Sequence, residues 1–438
     1  MREIEEAVSL IQSKAKPFRT SQDISVLARK LGNARVVMLG EASHGTHEFY
    51  DLRRELSLEL LKNHGFNFIS VEGDWPPCFH LNNFVRSQST DLKSVLQHFH
   101  RWPTWMWDNQ EVYQLALGMQ EINRSRADDD KVGFFGLDVY SFFESISVVL
   151  ERLRQLDVSL YRKANMMYGC FHGYLEDNEK AYARSLMQFP EGCKREAISV
   201  LNTLLQIHTE KKNPQEEAFF DALQNSRIVA NAENYYRTMI LGDEDSWNVR
   251  DRHMMETLEV LLSRYGEKNS KAIVWAHNTH IGDYRATSMK KHGQINIGGL
   301  ARELLGEDQV KLVGFGTYEG EVIASHAWDG DIEIMPVPPA KPGSYDDLLH
   351  QAAVKSGLAQ FWVDLDEEPH SKTLEKIRGQ RAIGVVYHPA LERYGNYVPT
   401  QLSRRYNAFV FVDRTSPLSP LDKRFVESEI PETFPSGL

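Results

Sequence analysis

The fold is decided by the stretch VVMLGEASHGTHE, residues 36–48 of the 438-residue chain. Its first four residues are all apolar, which is typical of a strand that is covered on both faces. Polar residues follow at once, and the apolar spacing beyond them predicts a helix that ends near Asn63, before Gly65. A buried strand that leads directly into a helix indicates a parallel α/β sheet.

Similar apolar runs, rich in β-branched or aromatic residues, recur along the chain. Because helical sequence separates the first of them, we predict an α/β protein with a three-layer α/β/α core and a mainly parallel sheet. Residues 322–324 should form a hairpin with the run before them, across Glu319 and Gly320. The other expected strands are 68–71, 132–137, 272–276, 311–315, 361–363, 382–387 and 409–412.

The middle of the chain lacks such runs and carries apolar residues at helical spacing instead. We therefore predict an α/β catalytic core made of residues 1–140 and 266–438. An all-helical lobe, residues 141–265, is inserted between the two parts of the core. This lobe is expected to cover the active-site cleft.

Composition limits the function classes. The net charge is −11 and the pI is about 5.8, whereas a nucleic-acid partner needs a concentrated basic surface. No apolar run approaches the ~20 residues that span a bilayer, and residues 1–18 do not resemble a signal peptide. Cys78, Cys170 and Cys193 are odd in number and far apart, so we expect no disulfide framework. We predict a cytoplasmic protein without nucleic-acid or membrane partners, and no oligomeric state is predicted.

Polar side chains follow four of the predicted strands at the point where each strand ends. These residues are Glu41, Glu72, Asp138 and His277. Ligands of open parallel sheets bind outside the carboxyl ends of the strands, so we expect a shared site there. His44, held by Glu41 or Glu72, could take a proton from water. His277 or Arg53 could then stabilise the oxyanion.

Other chemistries were tested against the residue spacing. A serine hydrolase would show G-x-S-x-G, but Ser43 is one residue out of that pattern and more simply caps a helix. A zinc protease would show H-E-x-x-H, but the stretch that begins at His47 ends in Asp51. A metal- or haem-binding protein, or a metal-dependent hydrolase, remains the alternative. Its candidate ligands are His44, His47, Glu72, His277 and His280.

Several motifs recur in the order of a known family. They are residues 40–45 with Glu48, Phe49 and Arg53, then 71–75, 135–138, 248–254, 276–281, 384–387 and 396–399. Together they resemble the erythromycin esterase family, whose bacterial members are often labelled succinoglycan-biosynthesis proteins. The resemblance covers nearly the whole chain.

The resemblance implies a carboxylic-ester hydrolase that uses His-activated water and no metal or other cofactor. Known family members open the macrolactone ester of erythromycin-type antibiotics, so the expected partner is a small-molecule ester or lactone. His44 would be the general base, with Glu41, Arg53, Glu72 and His277 around it. The residues expected to contact the substrate are His280, Asp138, Arg250, His47, Asp74 and Trp75. The physiological substrate, and whether it is a macrolide, does not follow from these motifs.

Overall fold

The computed structural model describes residues 2–175, 179–210, 217–242, 246–266, 268–366 and 372–421. Most strands coincide with the apolar runs of the sequence, because buried parallel strands are apolar on both faces. The strands are β1 (Ala15–Pro17), β2 (Val36–Leu39), β3 (Phe68–Val71), β4 (Gly133–Gly136), β5 (Ala272–Trp275), β6 (Val310–Ala324), β7 (Glu333–Val337), β8 (Gln360–Asp364), β9 (Arg378–Arg381), β10 (Tyr397–Thr400) and β11 (Ala408–Thr415).

Helices fill the intervals between the strands. Six shorter 3₁₀ turns, in the described part of the chain, join some of them. The α-helices are α1 (Arg2–Lys14), α2 (Ser21–Leu31), α3 (His47–Asn63), α4 (Trp75–Val85), α5 (Leu92–Leu96), α6 (Gln110–Arg124), α7 (Phe142–Leu156), α8 (Val158–Tyr168), α9 (Glu179–Ser185), α10 (Lys194–Glu210), α11 (Glu217–Leu241), α12 (Ser246–Arg264), α13 (Asn278–Ile281), α14 (Ile297–Leu305), α15 (Tyr345–Ser356), α16 (Glu392–Gly395) and α17 (Leu402–Arg405).

Nine of the described strands form one sheet, in the order β1-β8-β11-β6-β2-β5-β3-β4, with β7 added beside β6. The six strands from β11 to β4 are parallel to one another, whereas β1, β7 and β8 pair antiparallel. The predicted α/β class with a mainly parallel sheet is therefore confirmed. Strand β5 lies between β2 and β3, so their carboxyl ends meet at one place on the sheet edge.

Both faces of the sheet are covered by helices, which makes the core three layers thick. Val37 and Leu39 of β2 pack with α2, α3 and α6 on one face. Val36 and Met38 pack with α1, α12, α14 and α15 on the other. Because successive strand residues point to opposite faces, a strand buried on both must be apolar throughout. This explains the unbroken apolar run at the start of the opening motif.

Two local predictions were wrong. Residues 310–324 form one strand and not a hairpin, because the parallel partner β11 continues alongside as far as Thr415, which is paired with Gly320. The second half of β6 pairs with β7 instead. Residues 382–387 make only isolated bridges, Ile383 to Ser43 and Val386 to Ser325. Their backbone hydrogen bonds are divided among separate segments, so no ladder forms.

The helices from α7 to α11 share a hydrophobic cluster of their own. Helix α12 contributes Val249 to this cluster but packs Met254 and Leu258 against the sheet. The division of the chain at residues 140 and 266 stays a prediction, and residues 422–438 of the predicted core lie outside the described residues.

Cys170 and Cys193 form a disulfide bond, with their Cα atoms 5.9 Å apart. The expectation of unpaired cysteines was wrong, because the helical chain folds back and brings together residues that are 23 apart in sequence. Cys78 is buried and unbonded. The disulfide removes one argument for a reducing compartment, so the cytoplasmic location stays a prediction. Within the described ranges, no helix combines the length and apolarity needed to cross a membrane.

Gly320 allows β6 to bend between its two sets of partners. Its φ is +147°, and a Cβ there would lie 2.2 Å from the Thr415 carbonyl oxygen. We expect Gly320→Ala to destabilise the protein by about 3 kcal/mol, since it adds a backbone clash to an unfavourable φ. Gly343→Ala is the matched control, because its φ is +79° but a Cβ would meet nothing within 4 Å. Urea unfolding of both variants measures the difference, and equal losses would contradict the clash.

Candidate active site

The loop between β2 and α3 is fixed by backbone hydrogen bonds from several segments. The carbonyl oxygen of Glu41 accepts from the amide of Asn278, and that of Ala42 accepts from Ile383. The carbonyl oxygen of Gly45 accepts from both Ile323 and Leu418. Glu41 and His44 therefore sit on a loop whose backbone has few alternative positions.

A glycine is required at position 45 because the loop backbone passes very close to strand β6 there. A Cβ on this residue would lie 1.9 Å from the carbonyl oxygen of Ile323, in the second half of β6. Any side chain would therefore push the loop away from the sheet. The conformation of the histidine beside it depends on this contact.

Glu41 connects His44 to Arg53 through its two carboxylate oxygens. His44 Nδ1 lies 3.0 Å from Oε1, and Arg53 Nη2 donates to Oε2 at 2.6 Å. A ring that donates its Nδ1 proton to a carboxylate keeps Nε2 free as an acceptor. Glu41, and not Glu72, is thus the carboxylate that orients His44.

Arg53 is fully buried behind Glu41. Its guanidinium carbon lies 4.4 Å from the ring centre of Tyr50 and 4.6 Å from that of Trp275. Aromatic faces and one carboxylate together replace the water that a guanidinium normally binds. Arg53 therefore holds Glu41 in place, and its Nε and Nη1 make no hydrogen bond to any described residue, so its role toward an oxyanion stays a prediction.

His277 begins α13 and is held in one tautomer. Its Nδ1 accepts from the backbone amide of Thr279 at 3.3 Å and lies 2.8 Å from the Thr279 hydroxyl. The neutral ring therefore carries its proton on Nε2. Within the described chain, Nε2 makes no hydrogen bond of normal geometry, although the nearby Ala42 carbonyl slightly favours the charged ring. Burial, assisted by the charge of His44, lowers the pKa of His277 well below its ordinary value.

The imidazoles of His44 and His277 face each other at the end of the sheet. Their ring centres are 5.0 Å apart with an angle of 36° between the planes, and each side chain is 4% exposed. One ring has a free acceptor nitrogen and the other has a free N–H donor. The pair therefore places a base and a hydrogen-bond donor side by side.

Glu72 fixes His277 from the neighbouring strand end. Its Oε2 accepts from the backbone amide of His277 at 2.8 Å, and its Oε1 accepts from Arg250 Nη2 at 2.8 Å. Burial alone would raise the pKa of Glu72. The charges of His280, Arg250 and His44, with the His277 amide, outweigh burial and hold the pKa well below its usual range.

Arg250 joins the long helix α12 to the sheet edge. It donates Nε to Asp138 Oδ1 at 2.9 Å and Nη2 to Oδ2 at 2.6 Å, a bidentate pair, and also contacts Glu72. Its Nη1 lies 3.0 Å from His280 Nε2, which is 3.3 Å from Glu72 Oε1. Burial opposes the charge of Arg250, but Asp138, Tyr140 and Glu72 raise its pKa well above the ordinary value.

His280 is held between carboxylates and an aromatic ring. Its Nδ1 lies 2.9 Å from Asp251 Oδ2, and its ring stacks on Trp247 with 4.3 Å between centres. Burial lowers the pKa of His280, but Asp251 and Glu72 outweigh it and raise the pKa overall. The contacts with Asp251 and Trp247 hold His280 in place beside the His44–His277 pair.

Three of the predicted substrate contacts lie elsewhere. His47 pairs with Glu111, its Nδ1 2.6 Å from Oε1, and remains 42% exposed. Trp75 is buried, bonded to Asp221 and stacked on Phe135 within the core. Its ring is therefore occupied by packing. Asp74 pairs with Arg101.

Two contributors were missed from the sequence. Asp251 lies near the start of α12, where an acidic residue is favourable in any helix, so its position alone does not indicate a site. Thr279 lies in the motif that contains His277 and His280, but its side chain is uncharged and does not by itself indicate a site. The available signal was spacing: Asp251 directly follows Arg250, and Thr279 lies two residues after His277.

The donor atoms at this site are largely engaged with one another. Both oxygens of Glu41, Glu72 and Asp138 accept hydrogen bonds from cations, ring nitrogens or amides. Across the part of the chain that the structure describes, no three or more His, Cys, Asp or Glu side chains are arranged to ligate a metal ion.

Fold and site together define a class: an α/β protein whose carboxylate-oriented histidines stand at the carboxyl ends of parallel strands. The erythromycin esterase family model matches residues 61–415. The chain therefore belongs to the erythromycin esterase family, as the sequence motifs predicted. Membership of this family indicates a hydrolase.

Curated relatives agree with this assignment at low identity. "Erythromycin esterase type II" of Escherichia coli is 23% identical over 339 residues, which cover 72% of this chain and 78% of that protein. "Putative hydrolase YbfO" of Bacillus subtilis (strain 168) is 21% identical over 442 residues, covering 93% of this chain and 90% of that protein.

Solved structures share the fold over nearly the full length. A succinoglycan biosynthesis protein has a TM-score of 0.76 and 19% identity, covering 96% of this chain and 99% of its own. A Bacillus cereus protein has the same TM-score at 20% identity and the same coverage. A mutant of the erythromycin esterase EreC, in its open conformation, has a TM-score of 0.67 at 16% identity and covers 93% of this chain and 99% of its own.

Arg250 provides a test of the buried charge network. We expect Arg250→Met to destabilise the protein by about 3–5 kcal/mol, because it leaves Asp138 and Glu72 buried without their cation. Arg124→Met is the matched control, since Arg124 pairs with Glu121 on the surface and both side chains are about two-thirds exposed. The control should lose less than about 1 kcal/mol. Equal losses in urea unfolding would contradict the network.

His277 provides a test of pH dependence. Its pKa is lower in the folded protein than the unfolded value of about 6.5, so the unfolded chain binds more protons below that pH. The stability contribution is present above about pH 6.5 and is lost as the pH falls. We expect His277→Asn to reduce the loss of stability between about pH 6.5 and 5 by up to about 1.4 kcal/mol per pH unit. Urea unfolding across this range measures the slope, and an unchanged slope would contradict a neutral His277.

Proposed function

We propose that the chain is a carboxylic-ester hydrolase in which His44 activates water for attack on an ester or lactone, without a metal or other cofactor. The observation that carries this proposal is the pair of facing imidazoles with complementary nitrogens. His44 offers a free acceptor at Nε2 because its Nδ1–H donates a hydrogen bond to Glu41. His277 offers a free donor because Thr279 occupies its Nδ1.

The reaction follows from these two nitrogens. His44 Nε2 takes a proton from water as the oxygen attacks the carbonyl carbon, and Glu41 stabilises the imidazolium that forms. The carbonyl oxygen becomes an oxyanion, which accepts a hydrogen bond from His277 Nε2–H. When the tetrahedral intermediate collapses, the C–O bond breaks and His44 returns the proton to the leaving alkoxide. The products are the acid and the alcohol, or the opened hydroxy acid of a lactone.

The surrounding charges position these two rings. Arg53 pairs with Glu41 and so holds this carboxylate beside His44. Glu72 holds the backbone of His277, and is itself held by Arg250 and His280. A neutral His277 donates a hydrogen bond to the oxyanion without changing its own charge. His44 is then the only ring whose charge changes during the reaction.

Access to the site requires movement. Each of the two imidazoles is only 4% exposed, so an acyl group cannot reach them in this conformation. The related protein EreC has been crystallised as a mutant in an open conformation. We propose that this chain also opens, with residues 141–265 covering the cleft when it is closed. The substrates would be small esters or lactones, macrolides among them, in the cytoplasm.

His44 is the decisive residue. We expect His44→Ala to lower kcat/KM for an ester or lactone that the wild type hydrolyses by about 10²–10⁴-fold, because general-base catalysis is lost. His47→Ala is the matched control: it removes another imidazole from the same loop, but one that pairs with Glu111. The control should retain most of the activity. A panel of esters and lactones, including macrolides, supplies the substrate, and equal activity of His44→Ala and wild type would refute the proposal.

The same purified proteins distinguish the proposed function from the alternative, a metal- or haem-dependent function. Activity that persists after chelation, in protein without stoichiometric metal or haem absorbance, supports proton transfer by His44. Activity that disappears with chelator and returns with one metal ion would favour the alternative.

A further inference from the structure

Two exposed histidines, His326 and His388, form a surface histidine pair beyond the end of β6. Their Nδ1 atoms are 3.3 Å apart. Their ring centres are 5.2 Å apart, with an angle of 18° between the ring planes. The side chain of His326 is 52% exposed, and His388 is exposed as well. The proposed reaction uses neither ring.

The backbone holds the surface histidine pair at this distance. The amide of Ser325 donates to the Val385 carbonyl oxygen at 2.9 Å, and the amide of Tyr387 donates to the Ser325 carbonyl oxygen at 2.8 Å. His326 directly follows Ser325, and His388 directly follows Tyr387. The two side chains therefore start from backbone positions that the fold fixes relative to each other.

The separation of the two nitrogens matches that of two ligands of one metal ion. Histidine nitrogens bind Zn²⁺ at about 2.0–2.1 Å, so two of them in a tetrahedral arrangement lie about 3.3–3.4 Å apart, with ring centres about 5 Å apart. A direct N–H···N hydrogen bond also brings two imidazoles together, but bonds from N–H donors are usually about 2.7–3.2 Å long. The observed 3.3 Å is at the long end for that bond and within the range for a shared ion.

Glu333, the first residue of β7, favours the form of His326 that can bind a metal. Its Oε2 lies 3.8 Å from His326 Nε2, the ring nitrogen that does not face His388. A carboxylate beside this nitrogen favours the tautomer that carries its proton there, which leaves the Nδ1 lone pair available. A carboxylate in this position is the usual arrangement behind a metal-binding histidine.

The donor atoms indicate the class of ion. Imidazole nitrogens suit Zn²⁺, Cu²⁺ and Ni²⁺, whereas Mg²⁺ and Ca²⁺ prefer oxygen ligands. The surface histidine pair supplies two protein ligands, in agreement with the lack of any group of three or more metal-ligating side chains among the described residues. Because both rings are exposed, water can fill the remaining coordination positions. An ion held in this way exchanges with the solvent.

The two segments that carry this pair also hold the loop between β2 and α3. The amide of Ile323 donates to the Gly45 carbonyl oxygen at 3.1 Å, and the amide of Ile383 donates to the Ala42 carbonyl oxygen at 2.7 Å. Ile323 lies three residues before the first histidine of the pair, and Ile383 lies five residues before the second. An ion shared by the pair therefore joins these two segments at a further point.

We propose that His326 and His388 form a binding site for a divalent transition-metal ion such as Zn²⁺, which is bound through both Nδ1 atoms. The ring that donates its Nδ1 proton without the ion takes the tautomer with the proton on Nε2, so the backbone need not move. The ion stabilises the folded protein, because only the folded chain presents the two rings together. The proposal is independent of the proposed ester hydrolysis, which uses other histidines.

Isothermal titration calorimetry of the untagged, full-length protein with Zn²⁺ tests the site. We expect the wild type to bind one equivalent at the pair. His326→Ala and His388→Ala should each lose this equivalent or bind it at least about tenfold more weakly, because each removes one of two protein ligands. Mg²⁺ should reveal no such difference. In thermal unfolding, Zn²⁺ should raise the Tm of the wild type more than that of either variant.

His98→Ala is the matched control. His98 is exposed and stacks on His80, with ring centres 4.0 Å apart and an angle of only 6° between the planes. In this face-to-face arrangement the lone pairs lie in parallel planes and do not converge on one ion. The control removes an exposed imidazole from another close pair, and should keep the Zn²⁺ binding of the wild type.

Each outcome decides the proposal. Failure of the wild type to bind Zn²⁺ at millimolar concentration, or full binding by both His326→Ala and His388→Ala, would refute the site. If one of these variants does not fold, the other decides alone. Loss of the bound equivalent in His44→Ala with full binding by His326→Ala would place the ion at the catalytic rings and overturn the proposal. A protein that binds Zn²⁺ at the pair but hydrolyses no ester would retain the site and refute the proposed function.

Discussion

The site depends on one buried carboxylate, Glu72, which ends strand β3. One oxygen accepts the amide of His277 from β5, and the other accepts Arg250 from the helix α12. A carboxylate buried away from water is costly unless its oxygens accept hydrogen bonds, and both oxygens of Glu72 do so. The same contacts therefore compensate the buried charge of Glu72 and fix the start of α13 and the helix α12 relative to the sheet. His277 begins a helix where it does because its backbone is anchored to the neighbouring strand end.

The two histidines reach opposite states through different partners. His44 is hydrogen-bonded to Glu41, which pairs with Arg53, whose guanidinium lies against two aromatic rings. The Nδ1 of His277 accepts from the Thr279 amide, and burial lowers the pKa of this ring. Identical side chains thus become an acceptor and a donor because one faces a carboxylate and the other faces a backbone amide. Environment rather than residue type assigns the roles, as in other sites where two titratable groups divide the work.

The sequence predicted those parts of the structure that depend on local pattern. The strands at 68–71 and 272–276 were found because strands buried on both faces must be apolar, and the strand ends then located Glu41, Glu72, Asp138 and His277 at one edge. Residues 382–387 have the same apolar pattern but spread their hydrogen bonds over several segments, which local sequence does not encode. The cysteine pairing also depends on how distant helices fold back. Which carboxylate orients His44 was undecidable from spacing, because Glu41 and Glu72 both follow strands that end side by side.

Two buried charge networks near the end of β3, one around Arg250 and one around Asp74, are satisfied to different degrees. Arg250 has more carboxylate contacts than it needs for neutrality, but every one of its partners is itself hydrogen-bonded, so the network is closed. Asp74 shares the guanidinium of Arg101 with Glu179, and its Oδ1 makes no hydrogen bond to any described residue. The closed network around Arg250 holds Glu72 and, through the other Glu72 oxygen, the backbone of His277, so complete satisfaction of one buried carboxylate is what fixes the position of that ring.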